Sequence, residues 1–383
     1  MSDFLDHLSA NDNDIYDLLI SGKQRITENV LRELARDRGI FCSPHDSREE
    51  LADYLSILPH AFQDVSEIVH KREPTGRKEK VTSTRLSVAI PQEDLKAAVD
   101  EYIGVAARTE QVTHRPSGTD GLLVNVKYEE FNHSRARLLQ RERQEALIEF
   151  FVVNGQTVVR MPATDKAKRV LEALKENVER RRKETIQEEV IELGGLNSAE
   201  LRSKFFTRLI STLPGFKLKN VMNLRVSSEL SELDNDDDDE TTVDLEDVDE
   251  SEARAEMFAV VHSMALSGQN LVQSQEYKEL TSRGFYITSI SWRAEQDSNP
   301  PDIVQFEAGF QDRKLGTGFR YNVQGAFRAH KGAHRKTIAP VSGVERSKLL
   351  SLLESTARAV LADLLSEADE PAKRDDNHQG ERS

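Results

Sequence analysis

"DIVQFEAGFQDRKLGTGFRYNVQGAF", residues 302–327, alternates between apolar and polar positions in two consecutive runs. Val304, Phe306, Ala308 and Phe310 fall on one side, and Gln305, Glu307 and Gln311 on the other. In the second run Phe319, Tyr321, Val323, Gly325 and Phe327 alternate with Arg320, Asn322, Gln324 and Arg328. A period of two with one apolar face predicts antiparallel strands, dry on one side and solvated on the other. "GFYITSISW" (284–292) supplies a third such strand, and "GVERSKLLSLLESTARAVLADLLSE" (343–367) a long helix to cover the dry face.

The same elements recur upstream. "GLLVNVKYEEF" (121–131) and "EALIEFFVVNGQTVVRMPA" (145–163) read as strands, the second a hairpin turning at Asn154-Gly155. "LSVAI" (86–90) reads as a short strand and "PQEDLKAAVDEYIGVAA" (91–107) as a helix with Pro91 in its first turn. A long helix is predicted over 164–193, capped by Thr164 or Asp165, and another over 197–213. The expected fold class is α+β: a small N-terminal helical domain followed by two α+β units with antiparallel meanders packed on long helices. Expected boundaries are 1–72 helical, 73–85 a basic linker, 86–228 α+β, 229–256 an acidic linker or loop, 257–367 α+β, and 368–383 a disordered tail.

The helical region contains "LRELARDRGIFCSPHDSREELADYLSILP" (31–59). Val30, Leu31 and Leu34 share one helix face, with Thr27 at the N-cap and Gly39 after the end. A second helix is predicted from Ser47, boxed by Glu50, with Leu51, Tyr54 and Leu55 buried. "AFQDVSEIVHKRE" (61–73) is a third helix that closes the bundle. Over 27–59 the pattern resembles the SAP family, a helix, extended loop, helix module of DNA-processing proteins. The resemblance rests on Leu31, Leu34, Arg38-Gly39-Ile40, Ser43, Arg48, Leu51, Tyr54 and Leu55. It implies phosphate contacts from Arg36, Arg38, His45 and Arg48. Glu49, Glu50 and Asp53 depart from the basic second helix of that family and leave a protein-contacting hairpin as the alternative.

Of 383 residues, 37% are hydrophobic and 31% charged, which suits a multi-domain protein with long polar connections. No apolar run suggests a membrane span, and the acidic start "MSDFLDHLSANDND" does not read as a signal peptide, so a cytoplasmic protein with no membrane partner is expected. The single cysteine, Cys42, excludes an intramolecular disulfide and a multi-cysteine zinc site. Of the net charge of −15, −13 lies between Glu232 and Glu256, where fourteen Asp and Glu face one Arg. The remainder is nearly neutral and holds basic clusters able to attract a polyanion. These are Lys71, Arg72, Arg77, Lys78 and Lys80; His133, Arg135, Arg137, Arg141 and Arg143; and "RAHKGAHRK" (328–336) with Arg328, His330, Lys331, His334, Arg335 and Lys336.

Phosphate-loop, Gly-x-Ser-x-Gly, His-Glu-x-x-His and dinucleotide-binding motifs do not occur. The nearest arrangement to a metal-dependent nuclease is Asp120 with Lys127, Glu129 and Glu130, but Asn125 stands where a carboxylate is needed. His330 and His334 are four apart with a glycine between, which favours a loop over a metal site. The sequence thus predicts a non-enzymatic, nucleic-acid-associated adaptor or complex subunit in DNA transactions or defence, without catalytic residues, metal or cofactor. DNA is expected rather than RNA, with a protein partner besides. Candidate phosphate contacts are Arg36, Arg38, Arg48, Arg320, Arg328, Lys331, Arg335 and Lys336. A protein-interaction scaffold and a divergent metal-dependent nuclease are the alternatives.

Overall fold

A computed structural model describes residues 10–21, 26–72, 79–107, 109–118, 120–131, 138, 140–196, 198–228, 263–267, 284–330 and 333–376. The acidic segment 229–256, Lys331, residues 377–383 of the expected tail, and Arg77, Lys78, His133, Arg135 and Arg137 lie outside these residues. Four helices open the chain: α1 (Asp12–Ile20), α2 (Glu28–Asp37), α3 (Arg48–Ser56) and α4 (Phe62–Arg72). They close around Leu18, Leu19, Leu31, Leu51, Leu55 and Ile68. Gly39 takes φ +71° after α2. The Ser47 hydroxyl accepts the Glu50 N–H while the Glu50 carboxylate accepts the Ser47 N–H. Such a box stabilises a helix start by about 1 kcal/mol. Tyr54, expected to be buried, is 47% exposed, and Ala52 is buried instead. The buried stripe of α3 is therefore 51, 52, 55 and 56, turned away from position 54.

The rest of the chain builds β1 (Val81–Leu86), α5 (Gln92–Ala106), β2 (Glu110–Ser117), β3 (Gly121–Phe131), β4 (Arg141–Val153), β5 (Gln156–Pro162), α6 (Asp165–Arg182) and β6 (Glu188–Glu189). There follow α7 (Ala199–Ser211), β7 (Phe216–Ser228), β8 (Ser263–Ser267), β9 (Phe285–Gln296), β10 (Ile303–Asp312), β11 (Thr317–Phe327), the two-residue strands β12 (Ala329–His330) and β13 (Ala333–His334), and α8 (Gly343–Asp376). The molecule is α+β, and its strands other than β12 and β13 form one 11-stranded sheet. Its order is β2-β3-β4-β5-β1-β11-β10-β9-β7-β8, with β6 beside β1. Every pairing is antiparallel.

Several expectations shift. Val81–Leu86 is a central strand where a linker was expected at 73–85. Its β-branched Val81, Thr82 and Thr84 suit extended backbone, and it pairs along its whole length with β5. "LSVAI" contributes only Leu86 to that strand. β7 lies within the span of the first α+β unit, yet it pairs with β9 of the second. α6 stops at Arg182, not near residue 193, because Lys183 adopts φ +54°, and the chain runs on extended to bury Ile186, Ile191 and Leu193. α8 continues to Asp376 instead of ending near Ala368. The Asn154-Gly155 turn has φ +51° and +77°, as a tight hairpin requires.

Helices cover opposite faces of the two halves. On β1–β5, α5 and α6 cover the face of Val124, Ile148, Val159 and Met161. On β7–β11, α7 and α8 cover the other face, with Trp292, Phe306, Phe310 and Tyr321. Where the halves meet, the Arg160 side chain is 5% exposed and gives one edge of its guanidinium, Nε and Nη2, to Glu354 of α8, at 2.5 and 3.1 Å. It also binds Glu149 (3.0 Å), Ser347 (3.0 Å) and Ser351 (2.7 Å). The Tyr321 hydroxyl donates to Glu354 as well. Burial alone would lower the Arg160 pKa, but the hydrogen bonds and charge of Glu354 hold it above the ordinary value. Burial and then the Glu354 charge raise Tyr321 well above its ordinary pKa. Breaking such a buried pair from one side costs about 3–5 kcal/mol, since the partner is left charged and unpaired.

Candidate nucleic-acid interface

The face of β7, β9, β10 and β11 opposite α7 and α8 is polar. Register places Arg225, Ser289, Gly309 and Arg320 in one row across the four strands. A Cβ on Gly309 would come within 2.8 Å of the Ser289 Cβ, so glycine keeps the floor of this row low. Strands are about 4.8 Å apart, so the two arginine backbones stand about 14 Å apart over a floor of small residues. Lys80, Arg313 and Glu307 complete a shallow depression around that row. Four cationic side chains thus surround one carboxylate, which is bound to Lys80 at 2.9 Å. α6 reaches the rim through Lys168, bonded to Gln311 at 3.0 Å.

A second polar line lies further along β10. Arg293 donates to Gln305 (2.9 Å), Gln305 to Gln324, and Gln324 to Glu307 (3.0 Å). The Arg293 guanidinium sits 4.4 Å from the centre of the Phe327 ring. Phe327 was expected on the core face. A register shift after Gln305, with Gly325 at φ +154°, turns Ala326 inward and Phe327 outward. A Cβ on Gly325 would meet the Ala339 carbonyl at 2.6 Å, and the chain at Ala339 bonds back to Ala326 there.

The residues singled out from sequence divide sharply. Arg320 lies on the open face. Arg36 is exposed, its side chain 75% accessible and 4.0 Å from Asp37. Arg335 and Lys336 are exposed on the loop after β13. The other three described arginines are committed internally. Arg48 donates to the Leu19 and Ile20 carbonyls at the end of α1 (both 2.9 Å) and to Ile26 (3.0 Å). Arg38 contacts the Pro59 carbonyl (3.3 Å), His60 (3.0 Å) and Asp64 (3.1 Å). Arg328 is clamped by Glu345 (2.8 and 2.6 Å) and Asp302 (2.7 Å). Burial opposes ionisation of Asp302, but the Arg328 hydrogen bond and the Ala329 N–H hold its pKa below the ordinary carboxylate range. Glu345 is lowered chiefly by its hydrogen bond to Arg328. These three guanidiniums, expected to face a ligand, are bonded to groups of the protein itself.

The sequence reading missed Arg225, Arg293 and Arg313 and gave Lys80 to a linker. The signal for Arg225 is "NLRVS", where Leu224 and Val226 are buried and Arg225 points the other way.

The nuclease arrangement does not assemble. Asp120 precedes β3 and Lys127 lies seven residues along it, about 23 Å away at the rise of a strand. Among the described residues no group of three or more metal-ligating side chains occurs. His330 and His334 lie on β12 and β13, and His334 donates to the Pro301 carbonyl (2.9 Å). No helix of the described residues is long and apolar enough to cross a membrane.

The helical bundle carries a different surface. A cleft of about 400 Å³ is lined by Ile15, Leu58, Phe62, Val65 and Leu138, the last reaching in from the connection between β3 and β4. Ile57 and Phe62 on its rim are 61% and 44% exposed. His60, also on the cleft, donates from Nε2 to the Leu55 carbonyl (2.8 Å) and accepts from Arg38 at Nδ1. Burial is the main cause that lowers its pKa.

No protein-family model matches the chain, and no curated protein matches its sequence.

Proposed function

We propose that the protein binds nucleic acid on the open face of β7, β9, β10 and β11, and serves as a non-enzymatic subunit or adaptor in a DNA-transaction assembly. The Arg225-Ser289-Gly309-Arg320 row carries the reading: two guanidiniums stand over a floor of small residues, with Lys80 and Arg313 beside them. Guanidinium and ammonium groups bind phosphate by charge-assisted hydrogen bonds and by releasing condensed counterions. Arg36, Arg335 and Lys336 are further exposed cations, and Lys331 belongs to the same loop sequence as Arg335 and Lys336. A salt series of DNA binding tests the reading, comparing the intact protein with an Arg225→Ala, Arg320→Ala double variant. Affinity is expected to fall steeply with salt, and the variant to show a shallower slope. A folded protein that binds no DNA at low salt overturns it.

A second reading is a protein-interaction scaffold. It draws on the cleft of the helical bundle with exposed Ile57 and Phe62, and on the SAP-like hairpin as a protein-contacting element. It predicts binding that survives loss of Arg225 and Arg320 and fails when Phe62 is replaced by Ala.

A further inference from the structure

The polar line beside the arginine row has a fixed direction. Arg293 can only donate and the Glu307 carboxylate only accepts, so the two amides between them have one consistent orientation. Gln305 presents its oxygen to Arg293 and an N–H to Gln324; Gln324 presents its oxygen to Gln305 and an N–H to Glu307. After these bonds each amide retains one N–H and one acceptor lone pair. Both side chains are half-buried in the sheet surface, so their positions are set before any ligand arrives.

Phosphate needs none of this, because a neutral amide adds little to the capture of an anion already flanked by guanidiniums. A donor and an acceptor side by side on one amide match the edge of a nucleobase. In a duplex those edges lie at the bottom of grooves that admit a helix or a two-stranded ribbon. A broad sheet face with half-buried amides enters neither groove. Bases splayed from a single strand can lie on such a face while their phosphates follow the cations. The distance along β10 from Gly309, on the arginine row, to Gln305 is about 13 Å. The two functions are thus separated along one strand direction.

We propose that this face takes single-stranded nucleic acid, with phosphates held by the Arg225 and Arg320 row and base edges read by Gln305 and Gln324. The proposal rests on the nucleic-acid reading of the same face and narrows it to one form of ligand. The test is fluorescence anisotropy on the full chain with a 15-nucleotide single-stranded DNA of mixed sequence and with the same sequence as a duplex, each across a salt series. The single strand is expected to bind about tenfold more tightly than the duplex, and Gln324→Leu to reduce its binding about tenfold with an unchanged salt slope. Gln305→Leu serves as a second variant, and thermal melting confirms that each variant is folded. A duplex bound as tightly as the single strand, or single-strand affinity unmoved by both glutamine variants, overturns this inference. If Arg225→Ala and Arg320→Ala still weaken binding in that case, the broader reading stands. Binding of neither DNA at low salt overturns both.

Discussion

The N-terminal bundle and the open face of β7–β11 both hold arginines, in different surroundings. In the bundle, Arg48 reaches carbonyls at the end of α1, groups with no partner inside their own helix, and Arg38 reaches the Pro59 carbonyl between α3 and α4. On the sheet, Arg225 and Arg320 stand beside Ser289 and Gly309 in a surface whose backbone is already paired strand to strand. A sheet interior offers a guanidinium few main-chain acceptors, whereas a helix end offers several. The same residue type is therefore a clamp in the bundle, and on the sheet it is the group to which we assign binding.

Four experiments strain that contrast, in descending order of effect. Arg160 is the extreme clamp, and Arg160→Ala leaves Glu354 buried with its main partner gone; a loss of about 3–5 kcal/mol is expected in chemical denaturation. A loss below about 1 kcal/mol would mean that the junction is not held by this charge pair. Arg48→Ala frees two carbonyls at the α1 end and that of Ile26, and should cost about 2–3 kcal/mol, with DNA affinity unchanged. Weaker DNA binding by the folded variant would make Arg48 a ligand contact after all. The Arg225→Ala, Arg320→Ala pair should act on binding, lowering the slope of log affinity against log salt by about 2. Lys127→Ala, on β3 of the other half, is the matched control and should leave that slope alone.

The smallest effect concerns pH. The folded bundle depresses the His60 pKa, so protonation favours the unfolded form. Its stabilising contribution is complete above the unfolded value of 6.5 and is lost as pH falls from there through the lower folded value. Amide exchange should show the bundle loosening before the sheet does as pH falls below the unfolded value of 6.5, and His60→Gln should remove that difference. A bundle and sheet that loosen together over this range would remove His60 as the cause.

How far these features could be read beforehand follows from period and register. The strands of residues 302–327 are legible because one face is dry, and alternation reports it. Val81–Leu86 is not, because Ser83, Thr84 and Arg85 make its sequence look like a linker, and its central place comes from pairing with β5 and β11, far away in sequence. Phe327 was misplaced because a bulge adds one residue and inverts the face beyond it. The arginine row was legible one strand at a time, but a row is a property of register. Arg225 and Arg320 are 95 positions apart in sequence, and only the pairing of four strands sets them side by side. Basic clustering along the chain pointed to residues 328–336, where Arg328 proved to be neutralised by Glu345 and Asp302.

The central position of β1 also governs how the molecule can be made. Val81 pairs with Tyr321, and Arg160 meets Glu354 across 194 positions, so one side of β1 and one buried charge wait for the end of the chain. Pairings so distant in sequence close slowly, and until they close the early half presents an open strand edge to its neighbours. A ribosome that stalls after residue 300 would release a half-sheet with that edge bare and Arg160 unanswered. Deletions at the C-terminal end are therefore expected to yield aggregated protein rather than a shorter soluble one, even though the missing helix is over a hundred residues away from every strand it protects in the first half.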